Sequence, residues 1–149
     1  FSSQENTVEI KIDNLGVGDY EYALDNSGFQ DAPYFEQVKP GMRTVKVRDK
    51  NGCGVSSAQV GVVGYYKYFS PNNDGINDNW QILGLKTTFN SNSNVYIYDR
   101  YGRFLYQLSN ADDFWDGTYR GQPLPADDYW FRLELEDGRI YSGHFSLMR

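Results

Sequence analysis

One cysteine and one histidine in 149 residues leave out much of the chemistry by which proteins act. Cys53 and His144 cannot complete a zinc site, which needs four ligands in a structural centre and three in a catalytic one. No apolar run reaches 18 residues, so no segment reads as a membrane-spanning helix. Positive charge is scarce: 14 Lys and Arg stand against 20 Asp and Glu, for a net charge of −6. That balance excludes the basic stripe of a nucleic-acid binder and the polybasic patch that holds a protein on anionic lipid. The first residues, FSSQEN, contain neither an initiator Met nor a charged-then-apolar leader. The chain therefore reads as a piece of a longer protein, with any signal peptide upstream. Cys53 reads either as a buried thiol packing as a small hydrophobe or, in an exported fragment, as half of a disulfide whose partner lies upstream.

What is present is apolar and aromatic. With 40% hydrophobic and 17% aromatic residues the chain can build compact cores, which excludes disorder. Helical periodicity is missing. VEIKI (8–12), YEYAL (20–24), YFEQV (34–38) and RTVKVRD (43–49) instead alternate or cluster apolar residues between turn-forming phrases, and SSAQVGVVG continues the series to Gly64. After YYKYF comes FSPNNDGINDNW (69–80), a dense set of turn formers flanked by aromatics, which predicts a rigid loop. NVYIYDR (94–100) and RFLYQL (103–108) are separated by Tyr101 and Gly102, the spacing of a two-residue hairpin. Pro123 and Pro125 keep the next segment out of a central strand. In DYWFRLELEDGRIYSGHFSLM, Tyr129, Phe131, Leu133 and Leu135 share one face. Trp130, Arg132, Glu134 and Glu136 share the other, Asp137 and Gly138 turn the chain, and Tyr141, Gly143, Phe145 and Leu147 alternate on the return.

The expected fold is all-β: two small immunoglobulin-like antiparallel β-sandwich domains in tandem. The first spans 1–63 and reads as lacking its first strand; the second spans 64–149.

FSPNNDGINDNW, YDRYGR (98–103), WDGTYRGQPLPADDYWF (115–131), DGR (137–139) and GHFSLMR (143–149) occur in an order and spacing that resemble the gliding-motility-associated C-terminal domain. This is the type B sorting domain of the type IX secretion system of Bacteroidetes. The family phrase F-T-P-N-G-D-G has Ser70 and Asn73 at its Thr and Gly positions here, and Asn suits a left-handed backbone second only to Gly. The first half resembles the immunoglobulin-like repeats that precede such domains in surface adhesins.

The resemblance implies a non-enzymatic targeting module with no required cofactor, exported through the periplasm to the cell surface or beyond. Its partners are the outer-membrane type IX secretion machinery, and the isolated fragment is expected to be a monomer. Partner recognition is expected at Pro71, Asn72, Asn73, Asp74, Gly75, Asn77 and Asp78, and at Gly143, His144, Phe145, Leu147 and Arg149 of the last strand.

Other chemistry is readable in the same residues. Asn72, Asp74, the carbonyl of Ile76, and Asp78 put oxygens at alternate positions around Gly75, the arithmetic of a calcium loop. The EF-hand pattern is incomplete, because its first and twelfth ligands fall on Ser70 and Gln81. The alternative is a loop that satisfies its own carboxylates. The pairs Asp112–Asp113 and Asp127–Asp128 read as solvated loop carboxylates rather than an acid and base. His144, beside Ser142 and Ser146, lacks a nucleophile elbow or oxyanion hole. Trp80, Trp115 and Trp130 read as core plugs, or as the row of exposed rings of an adhesive or carbohydrate-binding tandem sandwich.

Overall fold

The computed structural model describes residues 5–11, 18–52, 54–85 and 92–149, and every regular element in them is a strand. Cys53 lies outside the described residues, and so do both readings of its thiol.

The first five strands are β1 (Asn6–Glu9), β2 (Tyr20–Leu24), β3 (Tyr34–Val38), β4 (Gly41–Asp49) and β5 (Val55–Val62). β1 pairs antiparallel with β3, and β2, β4 and β5 form an antiparallel three-stranded sheet. β2 and β3 keep the bounds expected of them. β1 does not: it starts two residues early and ends at Glu9, after which the Ile10 amide turns to the Pro33 carbonyl. Pairing with β3 governs here rather than alternation alone, because Asn6 is buried and its amide donates to the Val38 carbonyl at 3.1 Å. Among the described residues of this part, Ala23, Val38, Pro40, Val45 and Val62 are buried. β5 is exposed over residues 55–59.

Nine strands follow: β6 (Gly64–Tyr65), β7 (Tyr68–Phe69), β8 (Ile82–Leu83), β9 (Asn94–Tyr98), β10 (Phe104–Leu108), β11 (Thr118–Tyr119), β12 (Gln122–Pro123), β13 (Asp127–Glu134) and β14 (Ile140–Leu147). Five of them make one sheet in the order β10-β9-β13-β14-β7, antiparallel except for the parallel pair β14–β7. β6 pairs with β8, β11 with β12, and a single bridge joins Trp80 to Trp115. These smaller pieces close over the inner face of the sheet. The faces read from the terminal hairpin hold: Tyr129, Phe131, Leu133 and Leu135 are buried, whereas Trp130, Arg132 and Glu136 are exposed.

The core is aromatic. Trp80 stacks on Phe145 with centroids 3.9 Å apart and planes 15° from parallel. Trp115 meets Tyr129 at 5.2 Å, edge to face, and Phe69 at 5.7 Å. Burying each such ring contributes about 1.5–3 kcal/mol, and the ring geometry adds roughly 0.5–1.5 kcal/mol per pair. Both buried indoles also find acceptors: Trp80 Nε1 donates to the Tyr66 carbonyl at 3.0 Å, and Trp115 Nε1 to the Thr118 carbonyl at 2.8 Å.

Two of the turns correct expectation. β9 and β10 are joined by a three-residue loop, not two. The Gly102 amide donates to the Asp99 carbonyl and the Asp99 amide to the Arg103 carbonyl, with Gly102 at φ 78°. This is a type I turn followed by a left-handed glycine. The same pattern recurs from Leu135 to Arg139 with Gly138 at φ 86°. The two-residue hairpin lies elsewhere, in the ribbon β11–β12. There Arg120 (φ 52°) and Gly121 (φ 78°) are both left-handed, as a type I′ turn requires. Pro123 sits in that ribbon, outside the main sheet.

Candidate functional site

The loop between β7 and β8 is held by its own side chains. Asp78 accepts the Asn73 amide at 2.6 Å on one carboxylate oxygen and the Gly75 amide at 2.8 Å on the other. Asp74 accepts the Ile76 amide and the Asn72 side-chain amide, both at 2.8 Å, and Asn72 Oδ1 accepts the Asp74 amide at 3.1 Å. The Ser70 amide donates to the Asn77 carbonyl and closes the loop at its base. Left-handed backbone occurs at Asn73 (φ 64°), Gly75 (φ 83°) and Asn77 (φ 51°), so Asn73 has the conformation that lets it stand where the family phrase has Gly.

This geometry decides what the carboxylates do. The bond from Asn72, and after it that from the Ile76 amide, hold the Asp74 carboxyl below the ordinary aspartate range against the smaller opposing effect of burial. All four carboxylate oxygens of Asp74 and Asp78 accept N–H donors from the loop itself. Each of those oxygens keeps a second lone pair beside its N–H donor, and among the described residues no three His, Cys, Asp or Glu side chains gather as a metal cluster. What the loop does present is Ile76, 68% exposed near its tip.

The residues singled out on the last strand divide by face. Phe145 and Leu147 are core, so their side chains cannot meet a partner. Gly143 faces inward as well: a Cβ there would lie 2.8 Å from the Phe131 ring and 3.2 Å from the Tyr65 hydroxyl oxygen. His144 points outward, opposite Trp130, with ring centroids 6.2 Å apart. Arg149 is a brace: its guanidinium donates to the carbonyls of Leu124 at 2.8 Å and Gly117 at 3.3 Å.

No catalytic array forms at the other candidates. Ser146 Oγ donates to Asp128 rather than to His144, and Asp127 pairs with Arg100 at 3.3 Å. Asp113 caps its turn by accepting the Ser109 and Asn110 amides. Trp80 and Trp115 are each 1% exposed and cannot stack a sugar; Trp130, at 41%, is the outward one of the three.

The carboxylates that residue type alone did not reveal are Asp99, which flanks the first three-residue loop, and Asp137, which lies within the second. Burial pushes the Asp99 carboxyl up, but the amides of Arg103 and Tyr101 and the Arg103 guanidinium outweigh it and hold it below the ordinary range. The Arg139 side chain, and after it the Arg139 amide, lower Asp137 in the same direction. The signal for both was in the sequence, as an Asp followed shortly by Gly-Arg in D-R-Y-G-R and D-G-R.

A family model described as the CHU_C Type IX secretion signal domain matches residues 63–147. No curated protein matches significantly. Solved structures share a likeness at low identity. A biofilm associated protein BSP domain is 11% identical at TM-score 0.36, with 87% of this chain and 24% of that one covered. Dimeric latent PorU from Porphyromonas gingivalis is 17% identical at TM-score 0.38, with 91% and 17% covered. SGBP-B of the Bacteroides ovatus mixed-linkage glucan utilization locus, in complex with a mixed-linkage heptasaccharide, is 12% identical at TM-score 0.27, with 99% and 42% covered. The chain thus spans less than half the length of each of these.

Proposed function

The chain belongs to the type IX secretion signal domain family through residues 63–147, and from that premise we propose that it is a sorting module that directs an attached protein across the outer membrane. Membership implies an interaction with the secretion machinery and export to the cell surface or extracellular space. The finer reading is that the attached protein is a cell-surface adhesin of a gliding bacterium, with residues 1–63 as a stalk and 64–149 as the sorting domain. In this reading the module performs no reaction of its own.

Recognition of such a module has to use what the fold leaves outside. On the last strand that is Ile140, Ser142 and His144, since Phe145 and Leu147 are enclosed. On the loop it is the rigid span from Pro71 to Asp78 with Ile76 presented near its tip. A preorganised loop with one apolar anchor loses little entropy on docking, which favours it as a shape read by another protein. The family match over residues 63–147 carries the proposal.

The test is a fusion of a periplasmic signal peptide and fluorescent passenger to residues 1–149, and in parallel to 64–149. Both are expressed in a bacterium with an intact type IX system and in a translocon-deficient strain. Passenger at the surface or in the medium of the first strain, and in the periplasm of the second, is the expected result. Periplasmic retention of both fusions in the intact strain refutes the sorting reading.

A further inference from the structure

The outer face of the five-stranded sheet is surfaced with rings. Phe104 on β10 stands opposite Tyr98 on β9, Tyr98 opposite Trp130 on β13, and Trp130 opposite His144 on β14, so the four fall in one row across the strands. Neighbouring rings are close: Tyr98 to Phe104 is 6.1 Å and Trp130 to His144 is 6.2 Å. Phe104 and Trp130 are 48% and 41% exposed. They sit two strands apart, which places them roughly 10 Å from one another. Beside Tyr98 and Trp130 opens a depression of about 460 Å³, also lined by Arg100, Arg132 and Ser142.

Charge selects the ligand. The arginines that line the depression are already paired: Arg100 with Asp127 at 3.3 Å and Arg132 with Glu134 at 3.0 Å. Among the described residues that line the depression, no unpaired cation remains for anionic lipid or an acidic polymer to neutralise. The outward positions of β9, β10 and β13 are aromatic, amide or charged, and on β14 Ile140 is an exposed aliphatic at the far end of the strand from the row. The centre of a protein–protein contact is depleted of charge, whereas here ion pairs stand among the rings. An uncharged ligand that alternates apolar C–H faces with hydroxyls complements this surface: a pyranose lies against an aromatic ring by dispersion and apolar burial. Its hydroxyls then meet the arginine, serine and amide groups alongside.

We propose that this face binds a neutral polysaccharide or oligosaccharide laid across the strands, one sugar on Trp130 and another towards Tyr98 and Phe104. This binding uses no residue of the loop 70–78 and shares with the proposed recognition surface only His144, at the end of the row, and Ser142, beside the depression.

Native affinity electrophoresis of the 149-residue chain tests it, in gels containing hydroxyethyl cellulose, xylan or galactomannan, with alginate as an anionic comparison. At least one neutral polymer is expected to retard the protein. Trp130→Ala should weaken that binding roughly tenfold, equivalent to about 1.4 kcal/mol, while Phe114→Ala, an exposed ring outside the row, leaves it unchanged. Circular dichroism checks each fold, and Phe104→Ala serves as the second variant should Trp130→Ala not fold. Absence of retardation by every neutral polymer overturns the proposal, as does retardation by alginate alone or equal binding by the row variants. Concentration-dependent self-association abolished by Trp130→Ala, without sugar binding, would instead make the face a contact between copies.

Discussion

Replacing Trp80 probes the centre of the sorting unit. The indole is 1% exposed, stacks on Phe145 at 3.9 Å and donates to the Tyr66 carbonyl at 3.0 Å. Its backbone amide and carbonyl both pair with Trp115. Removing a buried aromatic costs about 3–5 kcal/mol, and leaving the Tyr66 carbonyl without its donor adds about 1 kcal/mol. Trp80→Ala is therefore expected to lose about 4–6 kcal/mol, most of the margin in a domain whose whole stability is about 5–15 kcal/mol. Trp80→Phe keeps a ring on Phe145 and loses the N–H, for an expected cost of about 1–2 kcal/mol. Urea unfolding followed by tryptophan fluorescence measures this selectively, because all three tryptophans, at 80, 115 and 130, lie within residues 63–147. With a slope of about 1–3 kcal/mol per molar urea, the Ala midpoint should fall by roughly 2–3 M. A fall below about 0.5 M would refute the claim that this ring stack holds the sheet to its cover. Equal damage from Phe and Ala would shift the weight from ring burial to the indole N–H.

Two further outcomes follow from the carboxylates. Asp74, Asp99 and Asp137 have lowered folded values, so their contribution is fully present above the ordinary aspartate pKa of 3.8 and is lost as the pH falls through the folded values. Thermal melting should be flat between about pH 7 and 5 and drop below about 4, with a smaller drop in Asp99→Asn; greater stability in acid would contradict the assignment. Because the loop is already held by N–H bonds to the carboxylates of Asp74 and Asp78, millimolar calcium or a chelator should leave the melting temperature unchanged, and a calcium-dependent rise of several degrees would show that the loop binds the ion.

Where alternation sets burial, the sequence was readable. Tyr129 to Leu135 and the return through Phe145 and Leu147 follow the period of two, and the same alternation places Trp130 outside beside Arg132. It also forbade Phe145 and Leu147 as contact residues, since a side chain cannot fill a core and meet a partner at once. Trp80 and Trp115 lie outside regular strands, where period says nothing about direction, so only the packing shows them to be plugs. The Tyr101–Gly102 pair looked like a two-residue turn because its glycine is left-handed; the loop is a residue longer because Asp99 gathers the amides of Tyr101 and Arg103 around its own carboxylate. The loop of residues 70–78 was legible as rigid from its Asn, Asp and Gly. Which oxygens accept from which amides is a matter of three dimensions.

The parallel pair β7–β14 joins Tyr68 and Phe69 to Ser146 and Leu147, near opposite ends of the unit. Such a pairing closes a long loop of chain, and contacts of that kind slow folding. A product broken off ahead of Phe145 has no Phe145 ring for Trp80 to lie against and lacks Ser146 and Leu147, the residues that pair with β7. The first and last strands of the unit thereby depend on each other: Tyr68 and Phe69 have a strand to lie beside only in a chain that runs through residue 147.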